Sequence, residues 1–182
     1  MSIMTHSQKV RKTIVTFLFL VAITIIPPAT AYAYSLQSYR LPKGTTQFMY
    51  GKELSDYPNV KTQWTNAVNS WNNISKAPVK FSSFPAHLNS LSVIVINSST
   101  LYGVTNSTTS GGKITQFLSL VNMGNPKNSS SNVIRSVACH ELGHLLGLAD
   151  LSSGTAIMNN NRNRGTLYTP QKDDINGVHA GY

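Results

Sequence analysis

The stretch His140-Glu141-Leu142-Gly143-His144-Leu145-Leu146-Gly147-Leu148-Ala149-Asp150 organises the reading of this 182-residue chain. Each residue of an α-helix turns about 100° around the axis, so His140 and His144 lie one turn apart on one face. Two imidazoles so placed grip a single metal ion. Glu141 is offset to the side, within reach of a water on that ion but not aimed as a ligand. Gly147 suits the left-handed turn that ends such a helix. The reversed chain then brings Asp150 back as third ligand. Three protein ligands on a tetrahedral Zn2+ leave the fourth position to water, which separates a catalytic zinc site from a closed structural one. The competing reading of Asp150 is a turn cap, with solvent completing the site.

Working outward, the helix that carries the histidines is expected over residues 131–146, capped by Ser130 or Ser131. Val133, Val137 and the two histidines share one stripe, while Ile134, Ala138, Leu142 and Leu145 supply packing. Cys139 points about 100° away from His140 and reads as a small buried apolar residue. It is the chain's one cysteine, so no internal disulfide forms. Met158 reads as a packing floor, and residues 159–165, polar throughout, as an exposed segment. Thr169-Pro170 opens a last helix, with threonine as cap and proline at the first helical position. Asp173 and Asp174 sit near its positive end, and Ile175, Val178, His179 and Tyr182 form its inward face.

Toward the N-terminus, Val60, Trp64, Val68 and Trp71 fall on one helical face, and Pro78 follows, so a helix is expected over 59–75. Residues 45–50, 79–84, 91–96 and 113–121 read as strands. The third is nearly all β-branched or leucine, the composition of a central strand. Residues 97–112 read as a loop around a weak edge strand, and 122–132 as a polar loop. No repeat and no second domain is evident.

Lys9, Arg11 and Lys12, then an apolar run of 13 residues from Ile14 to Ile26, then Ala29-Thr30-Ala31 and Ala31-Tyr32-Ala33, form the pattern of a secretory signal peptide. The run is shorter than the roughly 20 residues of a membrane span. Residues 1–33 are therefore expected to be a leader and 34–182 one folded domain. The mature domain stays out of the membrane, and the protein is exported, free or associated with the cell wall. Loss of those three basic residues takes the formal charge from +9 to +6. Such a surface favours acidic partners, but no nucleic-acid motif accompanies it, and a monomer is expected.

The run from His140 to Asp150, followed by Ala156-Ile157-Met158, resembles the metzincin zinc peptidases. The ending from Tyr168 to Val178 resembles the last helix of their matrixin branch, the matrix metalloproteinase-like enzymes. The resemblance implies an α+β, zincin-like domain: a twisted mixed sheet, a backing helix, the active-site helix, a Met-turn and a C-terminal helix. It implies a zinc endopeptidase acting on protein or peptide substrates, with Glu141 moving the proton from water to the leaving amine. Aspartate as third ligand departs from most metzincins and is similar to the snapalysin type. Matrix metalloproteinases also bind a structural zinc and calcium through His and Asp before the active-site helix. Residues 97–132 contain no His, Asp or Glu, so neither site is expected, and one catalytic zinc remains. Tyr168 is placed by this reading either at the substrate pocket or in ordinary packing. His87 and His179 fall outside the motif. Residues 103–107 are candidates to pair with substrate as an added strand. The alternatives are a secreted zinc-binding protein of the same fold without turnover, and a zinc amidase acting on cell wall. The intact Glu141 argues against the first, because pure metal binding needs no base there.

Overall fold

Burial alternates along β1 (Gly44–Tyr50), with Thr46 and Phe48 inward, as a strand with one covered face requires. The computed structural model describes residues 34–182; the expected leader lies outside the described residues. After β1 come a 3-10 turn (Lys52–Ser55), α1 (Pro58–Asn72), β2 (Val79–Ser83), β3 (Ser90–Ile94), β4 (Gly103–Ser110), β5 (Lys113–Asn122), α2 (Ser131–Leu145) and α3 (Lys172–Gly181). The five strands form one sheet in the order β2-β1-β3-β5-β4. All neighbours are parallel except β4 and β5, which form a hairpin. The result is a mixed sheet with three helices, the α+β architecture expected.

β3 is central, as its composition predicts. Leu91, Ser92 and Val93 are buried in succession, so both faces are covered. β4, polar but for Gly103 and Val104, takes the edge. Its hairpin turns at Gly111 and Gly112, both left-handed (φ +55° and +73°), the combination that matches the twist of paired strands.

Proline at the first turn starts α1. Val60, Gln63, Trp64, Ala67, Val68 and Trp71 then make a buried stripe. The indole N–H of Trp64 donates to Ser92 O and that of Trp71 to Cys139 O, both at 2.9 Å, so neither buried donor is stranded. The second bond ties α1 directly to the helix of the histidines. α1 ends three residues before the expected position 75. The Asn72 side chain pairs with the backbone of Phe81 in both directions at 2.8 Å and turns the chain toward β2.

α3 starts at Lys172, not after Thr169 as the Thr-Pro pair suggests. Gln171 occupies the cap, and Asp174 accepts the Gln171 N–H at 2.7 Å in a capping box. The inward face is correspondingly Asp174, Gly177 and Val178, while His179, expected inside, is exposed. The physical reason is that Asp174 is drawn into the interior by the backbone N–H groups of Ile157 and Met158. Helix α2 keeps its expected start: the Ser130 hydroxyl accepts from Val133 N.

Cys139 is fully buried among α1 and α2, as expected, and burial pushes its thiol up to about 12. The native protein is expected to resist iodoacetamide at pH 8, because the reactive thiolate is both scarce and inaccessible. Mass spectrometry with and without denaturant checks this: the native mass stays unchanged and the unfolded chain gains one adduct.

Candidate active site

Helix α2 delivers His140 and His144 side by side, with ring centroids 4.8 Å apart and nearly perpendicular. It ends at Leu145, and Gly147, at φ +88°, reverses the chain as its position in the motif predicts. Asp150 returns so that its Oδ1 lies 3.0 Å from His140 Nε2 and 3.7 Å from His144 Nε2. Ligand atoms around a tetrahedral zinc sit roughly 3.4 Å from one another, given bonds of about 2.0–2.2 Å. The two observed separations straddle that value, so the three side chains fit such an ion.

The remaining ring nitrogens set the tautomers. His140 Nδ1 donates to Ile157 O and His144 Nδ1 to Leu148 O, both at 3.0 Å. A carbonyl only accepts, so with a metal on each Nε2 the proton sits on Nδ1 and these two carbonyls fix the ring orientations; in the metal-free protein His140 Nε2 faces Asp150 Oδ1 instead. Gln37 Nε2 lies 3.2 Å from His144 Nδ1. Burial holds His140 below the ordinary imidazole range. Hydrogen bonding to His140 pulls the half-exposed Asp150 carboxyl down to about 2, so it is ionised at neutral pH.

Glu141 is 4% exposed. Burial lifts its carboxyl to about 8, against the hydroxyl of Thr105, which donates to Oε2 at 2.9 Å, and the charges of Arg162 and Arg164. Gly103 makes room for it: a Cβ there would stand 2.8 Å from Glu141 Oε1 and 2.7 Å from Val137 Cγ1. The sequence offers Gly103 and Thr105 only as part of a substrate-pairing strand, and nothing in it marks their contacts with Glu141. Both reach Glu141 only because β4 lies along α2.

Met158 packs its sulfur onto Gly143, where any added Cβ would collide with it. It is a buried floor, as read. The segment after it is not exposed throughout, which corrects the expectation for 159–165. Asn159 and Arg162 are buried. Arg162 donates from Nε to Ser136 Oγ (2.9 Å), from Nη2 to Ser136 O (3.0 Å) and from Nη1 to Asn159 O (3.0 Å). Its sequence neighbours are all polar, so nothing local marks it as interior; a serine one turn before His140 does that across 26 residues. Tyr168 stays out of the cleft, half-buried with the Arg135 guanidinium 5.2 Å from its ring.

The histidines, Asp150 and Glu141 open onto a cleft of about 370 Å³ that also takes in Tyr102, Gly103, Arg162 and Arg164. Buried asparagines hold the loop beside it. Asn122 and Asn125 both donate to Leu101 O, and Asn128 to Tyr102 O. The polar loop expected at 122–132 is thus partly interior, its amides doing work that water does elsewhere.

A family model described as Matrixin matches residues 62–182. No curated protein sequence matches the chain. Among solved structures, high choriolytic enzyme 1, a hatching enzyme zinc-protease from Oryzias latipes (medaka fish), is similar with a TM-score of 0.48 and 14% identity, over 78% of this chain and 93% of that one.

Proposed function

The chain belongs to the matrixin family, which makes it a zinc metalloendopeptidase, and from that premise we propose a site in which His140, His144 and Asp150 hold the zinc and Glu141 moves the proton. The observation that carries this reading is the convergence of one donor atom from each of the three residues within 4.8 Å, beside a buried carboxylate that no basic residue neutralises by direct contact. Zinc bound there supplies a Lewis acid that polarises the scissile carbonyl and acidifies water. The chain's own residues do the rest. Ile157 O and Leu148 O orient the imidazoles. Thr105 holds one oxygen of Glu141, leaving the other to take a proton from the attacking water and hand it to the departing amine. β4 is the last strand of the sheet, and Gly103, Val104, Thr105 and Ser107 border the cleft. An extended peptide pairs with that edge as an added strand, which places a backbone carbonyl at the metal.

The enzyme acts outside the cell, as a monomer, on protein or peptide substrates and not on nucleic acid. The signal-like pattern at residues 1–33 supports export. Among the described residues no helix is long and apolar enough to cross a membrane.

Elemental analysis tests the ligand set. One zinc per chain is expected for the wild type. Removing a hydrogen-bonding partner of a ligand typically costs 10–100-fold in metal affinity, so Asp150→Ala, which removes a ligand, is expected to cost about 100-fold or more. Unchanged affinity in a competition with a chelator would show that Asp150 is a turn residue and not a ligand.

A further inference from the structure

We propose that Arg164 is a specificity-determining residue of the cleft and selects substrates carrying Asp or Glu next to the bond that is cut. The inference deepens the peptidase reading and rests on it.

Two arginines line the cleft beside Glu141, and they are held differently. Arg162 commits Nε, Nη1 and Nη2 to Ser136 and Asn159 and belongs to the wall. Arg164 makes one protein hydrogen bond, from Nη2 to Asn160 O at 3.1 Å. Its Nε is shielded from solvent yet has no partner. Its Nη1 also has no protein acceptor but is not shielded, so it is free to meet an acceptor that arrives with the ligand.

The guanidinium lies 3.8 Å from the centre of the Tyr102 ring. Stacking of this kind holds the plane of the fork in place, so little entropy is lost when it is engaged. Lys127 Nζ stands 5.9 Å from the centre of the same ring, a second positive charge near Tyr102. Among the described residues no carboxylate lies within ion-pair distance of either cation, since the ion pairs present join Asp150 to the two histidines. The chain has only six acidic residues. The two at the cleft are committed, Glu141 to Thr105 and Asp150 to the histidines.

A planar fork, pre-positioned and in no direct ion pair, with Glu141 near enough only to act through space, matches the two oxygens of a carboxylate. An aliphatic side chain in the same place would desolvate Nη1 without pairing it, and a lysine would add like charge to like. Discrimination therefore runs Glu or Asp above Leu above Lys.

Quenched-fluorescent peptides test this. They differ only in the residues flanking the scissile bond, with Glu, Leu or Lys placed in turn on each side, and mass spectrometry of the products identifies the bond cut. On one side, the zinc-loaded wild type is expected to show kcat/KM about 10–100-fold higher for Glu than for Leu, as a hydrogen-bonded charge in a sheltered site allows. Arg164→Met is expected to bring that ratio to within about threefold, and Arg164→Glu to turn the preference toward Lys, both with zinc content and melting temperature unchanged. Arg164→Lys keeps the charge without the stacked fork and is expected to retain part of the preference. Equal cleavage of the peptides, a preference for Leu, or an Arg164→Met variant that keeps the Glu preference overturns the inference while the peptidase reading stands. Cleavage of no peptide by the wild type, or equal cleavage by Glu141→Gln, overturns both.

Discussion

Replacing Glu141 by glutamine is expected to lower peptide turnover by about 10²–10⁴-fold, the usual worth of a positioned general acid–base. Glutamine keeps the shape and still accepts from Thr105, so the cleft wall is preserved. What it loses is the ability to take a proton from water and return it to the amine. Zinc content is expected to stay at the wild-type level, because Glu141 faces Thr105 and not the three donor atoms. Thermal stability is expected to hold or rise slightly: burial is the main force lifting this carboxyl to about 8, which means its charge is a cost to the fold. The pH dependence carries the sign. Its folded value stands above the unfolded one, so the penalty of ionising it is absent in acid and grows as pH rises toward about 8 in the metal-free protein. The doubly charged ion favours the ionised form, so zinc loading is expected to move this titration to lower pH. Activity within tenfold of the wild type, or zinc loss in step with activity loss, would remove Glu141 from the proton-transfer role.

Asp174→Ala is expected to destabilise the protein by about 3–5 kcal/mol, the range for removing one partner of a buried, charged hydrogen-bond network. The carboxylate sits 1% exposed and accepts from Ile157 N (2.7 Å), Met158 N (3.2 Å) and Gln171 N (2.7 Å). Alanine strands those donors in the interior. Burial raises the Asp174 carboxyl overall, with the three N–H bonds opposing. A neutral acceptor therefore recovers part of the loss, and Asp174→Asn is expected to cost about half as much as alanine. The effect reaches the metal as well. Ile157, whose N–H is held by Asp174, presents the carbonyl that orients His140. A zinc affinity lower by about 10–100-fold is expected alongside the stability loss. Urea melts and chelator competition on the two variants measure both. A cost below about 1 kcal/mol for alanine would mean that water takes over the freed donors.

The elements that were legible share one property: their signal is local. The repeat of Val60, Trp64, Val68 and Trp71 defines α1 whatever lies around it, because a stripe at that spacing must face a core. The aliphatic run at 91–96 announces a strand covered on both faces; β3 is that strand over Leu91 to Val93, but it ends at Ile94 and leaves Val95 and Ile96 exposed. Polar segments were the harder part. The asparagines of 122–128 and Arg162 look solvated in sequence and are buried in the fold, because they find backbone carbonyls supplied by distant segments, Leu101 and Tyr102 for the asparagines and Ser136 for Arg162. The start of α3 shows the same competition. Thr169-Pro170 is a sound local cap, but Asp174 gains more by reaching back to Ile157 and Met158 than the helix gains from two further residues.

Spacing along one helix placed His140, His144 and Glu141 before any fold was known, since a period of about 3.6 residues depends on nothing beyond the backbone. Gly147 likewise announced the reversal, because a left-handed residue costs other side chains energy that glycine avoids. The surroundings of those residues had no such local origin. Gly103 clearing space for Glu141, Thr105 holding its oxygen, Ser136 drawing Arg162 inward and Tyr102 bracing Arg164 all join segments far apart in the chain. Contacts of that kind arise only when the sheet and helices pack, so the candidate metal-binding and proton-transfer residues are readable from spacing while the environment around them belongs to the folded molecule.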